Sequence, residues 1–231
     1  MGKLAVVEVK LLAREPGAIF TLLIPLFILL AFGSSIEPGD TVLLPMALAI
    51  AVGLVGLYLL PTTLATYRER GILRRMSATP VRPANLLAVQ VILQLVLTLT
   101  TGALLIAIAG TVLNADLPTA VGQIAVTFLL GTGAMFAVGL LIAALARSGR
   151  TANGLGVLLY FPMAYLAGLM QPTDQMPKLL ARVGEYTPLG AFRQSMHQLW
   201  TDTTPSPVLL AVLAAYAVAI SAAAARFFRW E

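Results

Sequence analysis

Few side chains in this sequence could do chemistry, and their densest group lies in one stretch, YRERGILRRMSATPVRP, from Tyr67 to Pro83. Arg68, Arg70, Arg74, Arg75 and Arg82 are a third of the chain's 15 lysines and arginines. Clustered guanidiniums hold anions, pair with a partner's carboxylates, or keep a loop on one side of a membrane. Glu69 stands alone among them, which charge retention by itself would not require. The other reactive groups offer less. The single histidine, His197, has no H-E-x-x-H or nucleophile-elbow pattern around it and reads as structural. The phosphate loop G-x-x-x-x-G-K-[ST] is absent, and the nearest glycine cluster, SGRTANGLG, lacks the lysine. Without cysteine, disulfides, iron–sulfur clusters and thiolate metal sites are excluded.

The elements that carry these residues are greasy. Of 231 residues 59% are hydrophobic and 11% charged, with mean hydropathy +0.90, whereas a soluble domain carries about 25% charged residues. Several apolar runs exceed the roughly 20 residues that cross a bilayer as a helix. The expectation is an all-α membrane protein, one transmembrane domain over 1–231, with spans at about 18–36, 42–66, 84–113, 119–146, 151–170 and 207–225. Before the first span, Leu4, Val7, Leu11 and Leu12 share one side of residues 3–14, with Lys3, Glu8, Lys10 and Arg14 mostly elsewhere. That predicts a helix lying in the membrane interface, with Pro16 and Gly17 turning the chain inward. The same segment lacks the continuous apolar core of a cleavable signal peptide.

Between the last two spans, Met176, Leu179, Leu180 and Val183 repeat at helical spacing, as do Leu189, Phe192, Met196, Leu199 and Trp200 approximately. Each segment is too short to cross. Two outer helices within 176–200, dipping into the interface and broken at Pro188, are expected; a solvated loop is the alternative. Placing both termini in the cytoplasm puts Lys3, Lys10, Arg14, Arg68, Arg70, Arg74, Arg75, Arg82, Arg147, Arg150, Arg226 and Arg229 inside. Only Lys178, Arg182 and Arg193 are then outside, as the positive-inside bias requires. The net charge of +5 is thereby read as topology, with no nucleic-acid partner.

No expected span has Asp, Glu, Lys, Arg or His in its interior. Buried ionisable groups usually mark proton relays or ion sites, so the chain lacks an obvious means of coupling to an ion gradient. Uphill transport would need a partner's energy, delivered to a rigid cytoplasmic element. In the opening stretch Ile72, Leu73 and Met76 can share one helical face, Gly71 allows a bend, and Pro80 and Pro83 stop any helix. A contact helix in the coupling loop 67–83 is the reading, with a purely topogenic basic loop beside it.

At this point three segments resemble one family. YRERGILRRMSATPVRPANLLAVQVI resembles the cytoplasmic loop of ABC transporter type-2 permeases, REPGAIFTLLIPLFILLAFGS their approach to the first span, and MPKLLARVGEYTPLGAFRQSMHQLW their closing region. The resemblance implies a permease subunit of an ATP-driven exporter of the drug- or lipid-efflux type, itself not an enzyme. It pairs with a second permease copy, or a similar permease, and with a separate cytosolic ATPase. The chain would bind no cofactor; ATP and Mg belong to that ATPase. By position, Glu69 would be a polar contact with it, Arg68, Arg70, Arg74 and Arg75 charged neighbours, and Gly71, Ile72 and Leu73 the part fitted into its groove. Residues 3–14 would be a second contact, and 176–200 would close the outer end of the path.

In that fold the second and fifth spans line the path, making Leu57, Tyr58, Tyr160, Phe161, Met163 and Tyr165 candidate cargo contacts. Aromatics and methionine suit a hydrophobic or amphipathic cargo, although such residues also pack against helices and lipid. Gly131, Gly133 and Gly139 with Ala137 and Ala143 form small-residue rows for close packing, and Pro61 and Pro162 mark bending points. The rival reading is an ion-coupled carrier or channel acting without an ATPase.

Overall fold

A computed structural model of the chain describes residues 8–12, 14–33, 40–72, 83–201 and 203–227. Among these described residues there is no strand. The helices are α1 (Pro16–Gly33), α2 (Leu43–Glu69), α3 (Pro83–Thr111), α4 (Val121–Leu145), α5 (Gly149–Leu166), α6 (Lys178–Glu185), α7 (Pro188–Trp200) and α8 (Pro207–Phe227). Helices α1 to α4 and α8 are long and apolar enough to cross a membrane. Helix α5, where a span at 151–170 is expected, has 18 residues but opens on the polar Arg150, Thr151 and Asn153. Its apolar part is shorter than its length.

Residues 8–12 are helical, within the expected interfacial helix, whose first residues lie outside the described ones. Pro16 and Gly17 differ from expectation. They form the first turn of α1, where proline's missing N–H would have no intrahelical acceptor anyway. The turn precedes them, with Arg14 and Glu15 N–H donating to the Leu11 and Leu12 carbonyls.

Helix α2 is the axle of the bundle. Its most apolar stretch is 83% buried within the chain, against 28% for α3 and 17% for α8, whose outward faces stay uncovered by the rest of the chain. The cause lies in small residues on its neighbours. Leu60 N–H reaches back to the Val55 carbonyl, closing a π-helical turn over Val55–Leu59. Pro61 follows with no N–H, so the carbonyls of Gly56 and Leu57, five and four residues earlier, lose that donor. Gly139 of α4 and Gly156 of α5 bring their Cα atoms to these oxygens: a Cβ at Gly139 would collide with Gly56 O, and one at Gly156 with Leu57 O. Cα–H···O contacts of this kind partly offset the donor that Pro61 lacks. The irregularity expected at Pro61 is thus a clamp between three helices.

The expected close packing of α4 is also present. Phe192 of α7 fills the space over Gly131 and meets Phe128 edge-on at 5.8 Å, while Ala217 of α8 lies across from Gly133. Two helices do occupy 176–200, and Pro188 opens the second with Thr187 Oγ1 accepting from Gly190 N–H at 3.1 Å. They differ in kind. Helix α7 buries Leu189, Phe192, Met196 and Leu199 in the core, whereas α6 leaves Leu179 73% and Val183 50% exposed.

Candidate functional site

The opening stretch divides at its second arginine. Helix α2 runs on through Glu69, so Arg68 and Glu69 belong to a span's end and not to a separate loop helix. Arg68 Nη1 donates to Ala144 O at 3.2 Å, and Nη2 donates to Ala146 O. These are terminal carbonyls of α4, which lack intrahelical donors. One residue on, Glu69 Oε2 accepts from Gly149 N–H at 2.9 Å, at the first turn of α5. Ser148 Oγ accepts from Thr151 N–H there at 3.1 Å. A cation therefore faces the C-terminus of α4 and an anion the N-terminus of α5, the signs that helix dipoles favour. Thr66 closes the joint, since a Cβ on Gly149 would strike its hydroxyl.

Past this joint, Gly71 takes φ 63°, a left-handed conformation that ends the helix at low steric cost. Arg70 is exposed, and Gly71 and Ile72 are half-buried. Arg70 lines two cavities: one of about 830 Å³ with Glu69, Arg150 and Asn153, and one of about 460 Å³ with Glu8, Glu15 and Ile72. Burial pushes the Glu15 carboxyl above its ordinary range. Leu73, Arg74 and Arg75 lie outside the described residues.

A second constellation at this end escaped the sequence reading. Glu8, assigned there to the polar side of an interfacial helix, is 5% exposed. Tyr67 donates its hydroxyl to Glu8 Oε2 at 2.6 Å, Gln90 Nε2 donates to the same oxygen, and Gln90 Nε2 lies 3.0 Å from the Tyr67 hydroxyl. The N-terminal segment is thereby tied to α2 and α3. The available signal was a glutamate inside an apolar helical pattern together with a glutamine in an apolar span; both must find partners in a membrane.

The expected path residues do not form one surface within the chain. Leu57 is fully buried in the core, and Tyr58 is half-buried against Gly17. Tyr160 packs on Gly53 and meets Phe161 edge-on at 5.8 Å, yet Phe161 itself points outward, 54% exposed. Met163 and Tyr165 are half-buried, with the Tyr165 hydroxyl 3.5 Å from Gln171 Oε1. On α5, Val157, Leu158 and Phe161 make an exposed apolar face.

At the opposite end of α2, Asp40 Oδ1 accepts from Val42 N–H at 2.7 Å and Leu43 N–H at 2.9 Å, capping the helix. His197 of α7 lies beside it, with Nε2 3.4 Å from the Thr41 hydroxyl. Burial lowers its pKa and neighbouring Arg193 lowers it further, while Asp40 acts the other way.

A bundle of spanning apolar helices around an almost wholly buried axle, with its charge gathered at the ends, defines a multi-pass membrane protein. Residues 4–198 match the family model described as ABC-2 type transporter, and the chain belongs to that family. It is accordingly a membrane permease component, of the kind that works with an ATP-binding cassette subunit. No curated protein matches the chain.

Proposed function

We propose that the chain is the translocating half of an ATP-driven exporter for a hydrophobic or amphipathic cargo, such as a drug, antibiotic or lipid-linked molecule. Two copies, or this chain and a similar permease, surround the path in the cell membrane, with α5 as the fifth of six spans, α8 as the sixth, and both termini cytoplasmic. A cytosolic ATPase binding ATP and Mg seats on residues 68–75 and on the N-terminal helix. Tyr160, Phe161, Met163 and Tyr165 face the cargo from α5, beside Tyr58 of α2, with Leu57 packed in the core behind them.

The observation that carries this reading is the joint made by Arg68 and Glu69. Because α2 is bonded to both sides of the α4–α5 turn, displacement of the loop beyond it moves three helices as one body. Within that seat Arg68 and Glu69 also transmit, through their bonds to the α4–α5 turn, while the residues from Arg70 onward only receive.

The test is ATPase activity of membranes holding the chain with its ATP-binding cassette partner. Arg74→Glu combined with Arg75→Glu is expected to reduce cargo-stimulated hydrolysis about tenfold, equivalent to about 1.4 kcal/mol of activation free energy, with membrane insertion unchanged. Full stimulation in the double variant overturns the contact, and cargo accumulation in vesicles lacking the ATPase favours the ion-coupled alternative.

A further inference from the structure

Arg193 is a buried cation on α7, far from the Arg68 joint. On α7, Leu189, Arg193, Met196 and Trp200 recur at i, i+4, i+7 and i+11, so the arginine stem shares the helix face that enters the core. The residue is 8% exposed. Its Nε is buried with no hydrogen-bond partner. Burying a charged group with a donor left unpaired is costly, and arginine does not escape by losing its proton.

Two cavities meet at this side chain, of about 400 and 460 Å³, and both are also lined by Thr173, Asp174 and Gln194. The larger has apolar walls from Met46, Leu169, Met170 and Pro172, with His197 at its edge. Gly168, at φ 76°, lets the backbone come close: a Cβ there would stand 3.1 Å from Arg193 Nη1 and 2.7 Å from Thr173 Cγ2. The carboxylates nearby are Asp174 on both cavities and Glu185 on the smaller, and both residues are exposed to solvent.

We infer that Arg193 binds the phosphate of an anionic amphiphile, whose apolar part lies along Met46, Leu169 and Met170. A guanidinium fits an oxoanion through two parallel N–H donors, and Thr173 and Gln194 supply neutral donors beside it. The cavity exceeds what one phosphate fills and falls in the range of sites for small organic ligands. It sits at the α2 end remote from Glu69, about 40 Å away by helical rise, so the ligand belongs to the membrane face opposite the Arg68 joint. The inference does not depend on ATPase coupling: loss of binding with intact ATPase stimulation sinks only this assignment.

The test is a titration of the purified full chain in neutral detergent, read by thermal stabilisation, with three probes: short-chain phosphatidylglycerol, diacylglycerol of the same chain length, and inorganic phosphate. Saturable stabilisation by phosphatidylglycerol and none by diacylglycerol is expected. Arg193→Gln should weaken apparent affinity at least tenfold and Arg193→Lys severalfold, while Lys178→Gln, at an exposed cation of α6 that lines neither cavity, leaves it unchanged. Stabilisation by inorganic phosphate at equal concentration supports the anion site but assigns it to a free anion. Equal binding by wild type and Arg193→Lys, or equal stabilisation by diacylglycerol, overturns the proposal. If Arg193→Gln does not fold, the lysine variant and the probe comparison decide.

Discussion

Among the described residues, Arg68 and Arg193 are the arginines not left exposed. They stand at opposite ends of α2 and are treated in opposite ways. Arg68 faces two carbonyls that α4 cannot satisfy itself, so each side of the contact supplies what the other lacks. Arg193 is more deeply buried, and its Nε has no hydrogen-bond partner. The lesson concerns reading buried charge. Where a helix end lacks donors, a buried arginine is explained by architecture; where a buried donor is left unpaired beside a cavity, the explanation lies in what the site binds.

The largest expected effect tests that opposition directly. Arg68→Ala leaves the Ala144 and Ala146 carbonyls without their donor and should cost about 1–3 kcal/mol. Arg193→Met keeps the apolar stem and removes an uncompensated charge. It should leave the chain as stable as wild type or more so by about 1 kcal/mol, by the logic that apolar replacements of buried charges are often neutral or stabilising. Thermal unfolding of the purified chain in neutral detergent, without added lipid, reads both. Shifts in the same direction would break the comparison.

How much of this was legible beforehand varied with the physics. Helices α1 to α4 and α8 announce themselves, because a bilayer demands long apolar runs and composition records them. The break at Pro188 was legible too, since proline suits a helix's first turn and its ring blocks the preceding one from continuing. The packing of α4 through Gly131 and Gly139 followed from small-residue rows, though not the π-helical turn they clamp, which needs two other helices in place. The division of the arginine stretch was not legible. Nothing local tells Arg68 from Arg70; only the arrival of the α4–α5 turn makes one structural. Glu8 and Gln90 were missed for a related reason, as periodicity gives a polar residue's face without its partner, 82 residues away. Leu57 was read onto a path-lining face from the family's architecture, and within one chain that face is covered.

At the other end of α2 the comparison can be sharpened with a smaller effect. Glu69→Gln keeps an oxygen for Gly149 N–H and loses only the charge facing the N-terminus of α5, worth about 0.3–1 kcal/mol. Glu69→Ala also removes the acceptor and should cost about 1 kcal/mol, as for other helix-cap deletions. Unfolding midpoints should therefore fall in the order wild type, glutamine, alanine. Glutamine matching wild type would show that the hydrogen bond and not the dipole holds the joint. Alanine matching wild type would mean that Ser148 and Thr66 close it unaided.

The smallest effect uses His197 as a gauge of Arg193's charge. The fold lowers the histidine's pKa, through burial first and Arg193 second, against a weaker opposing pull from Asp40. The unfolded chain, with an ordinary value near about 6.5, then takes up a proton before the native one does. The stability due to neutral His197 is complete above that value and is lost as pH falls through the native pKa. Unfolding midpoints should drop between about pH 7 and 5, and His197→Gln should flatten the drop. Arg193→Met removes one of the two causes, so its slope should be shallower than wild type but steeper than that of His197→Gln. A slope unchanged by Arg193→Met would mean that the guanidinium's charge is already screened in the unliganded chain. That would weaken the case that it needs an anion.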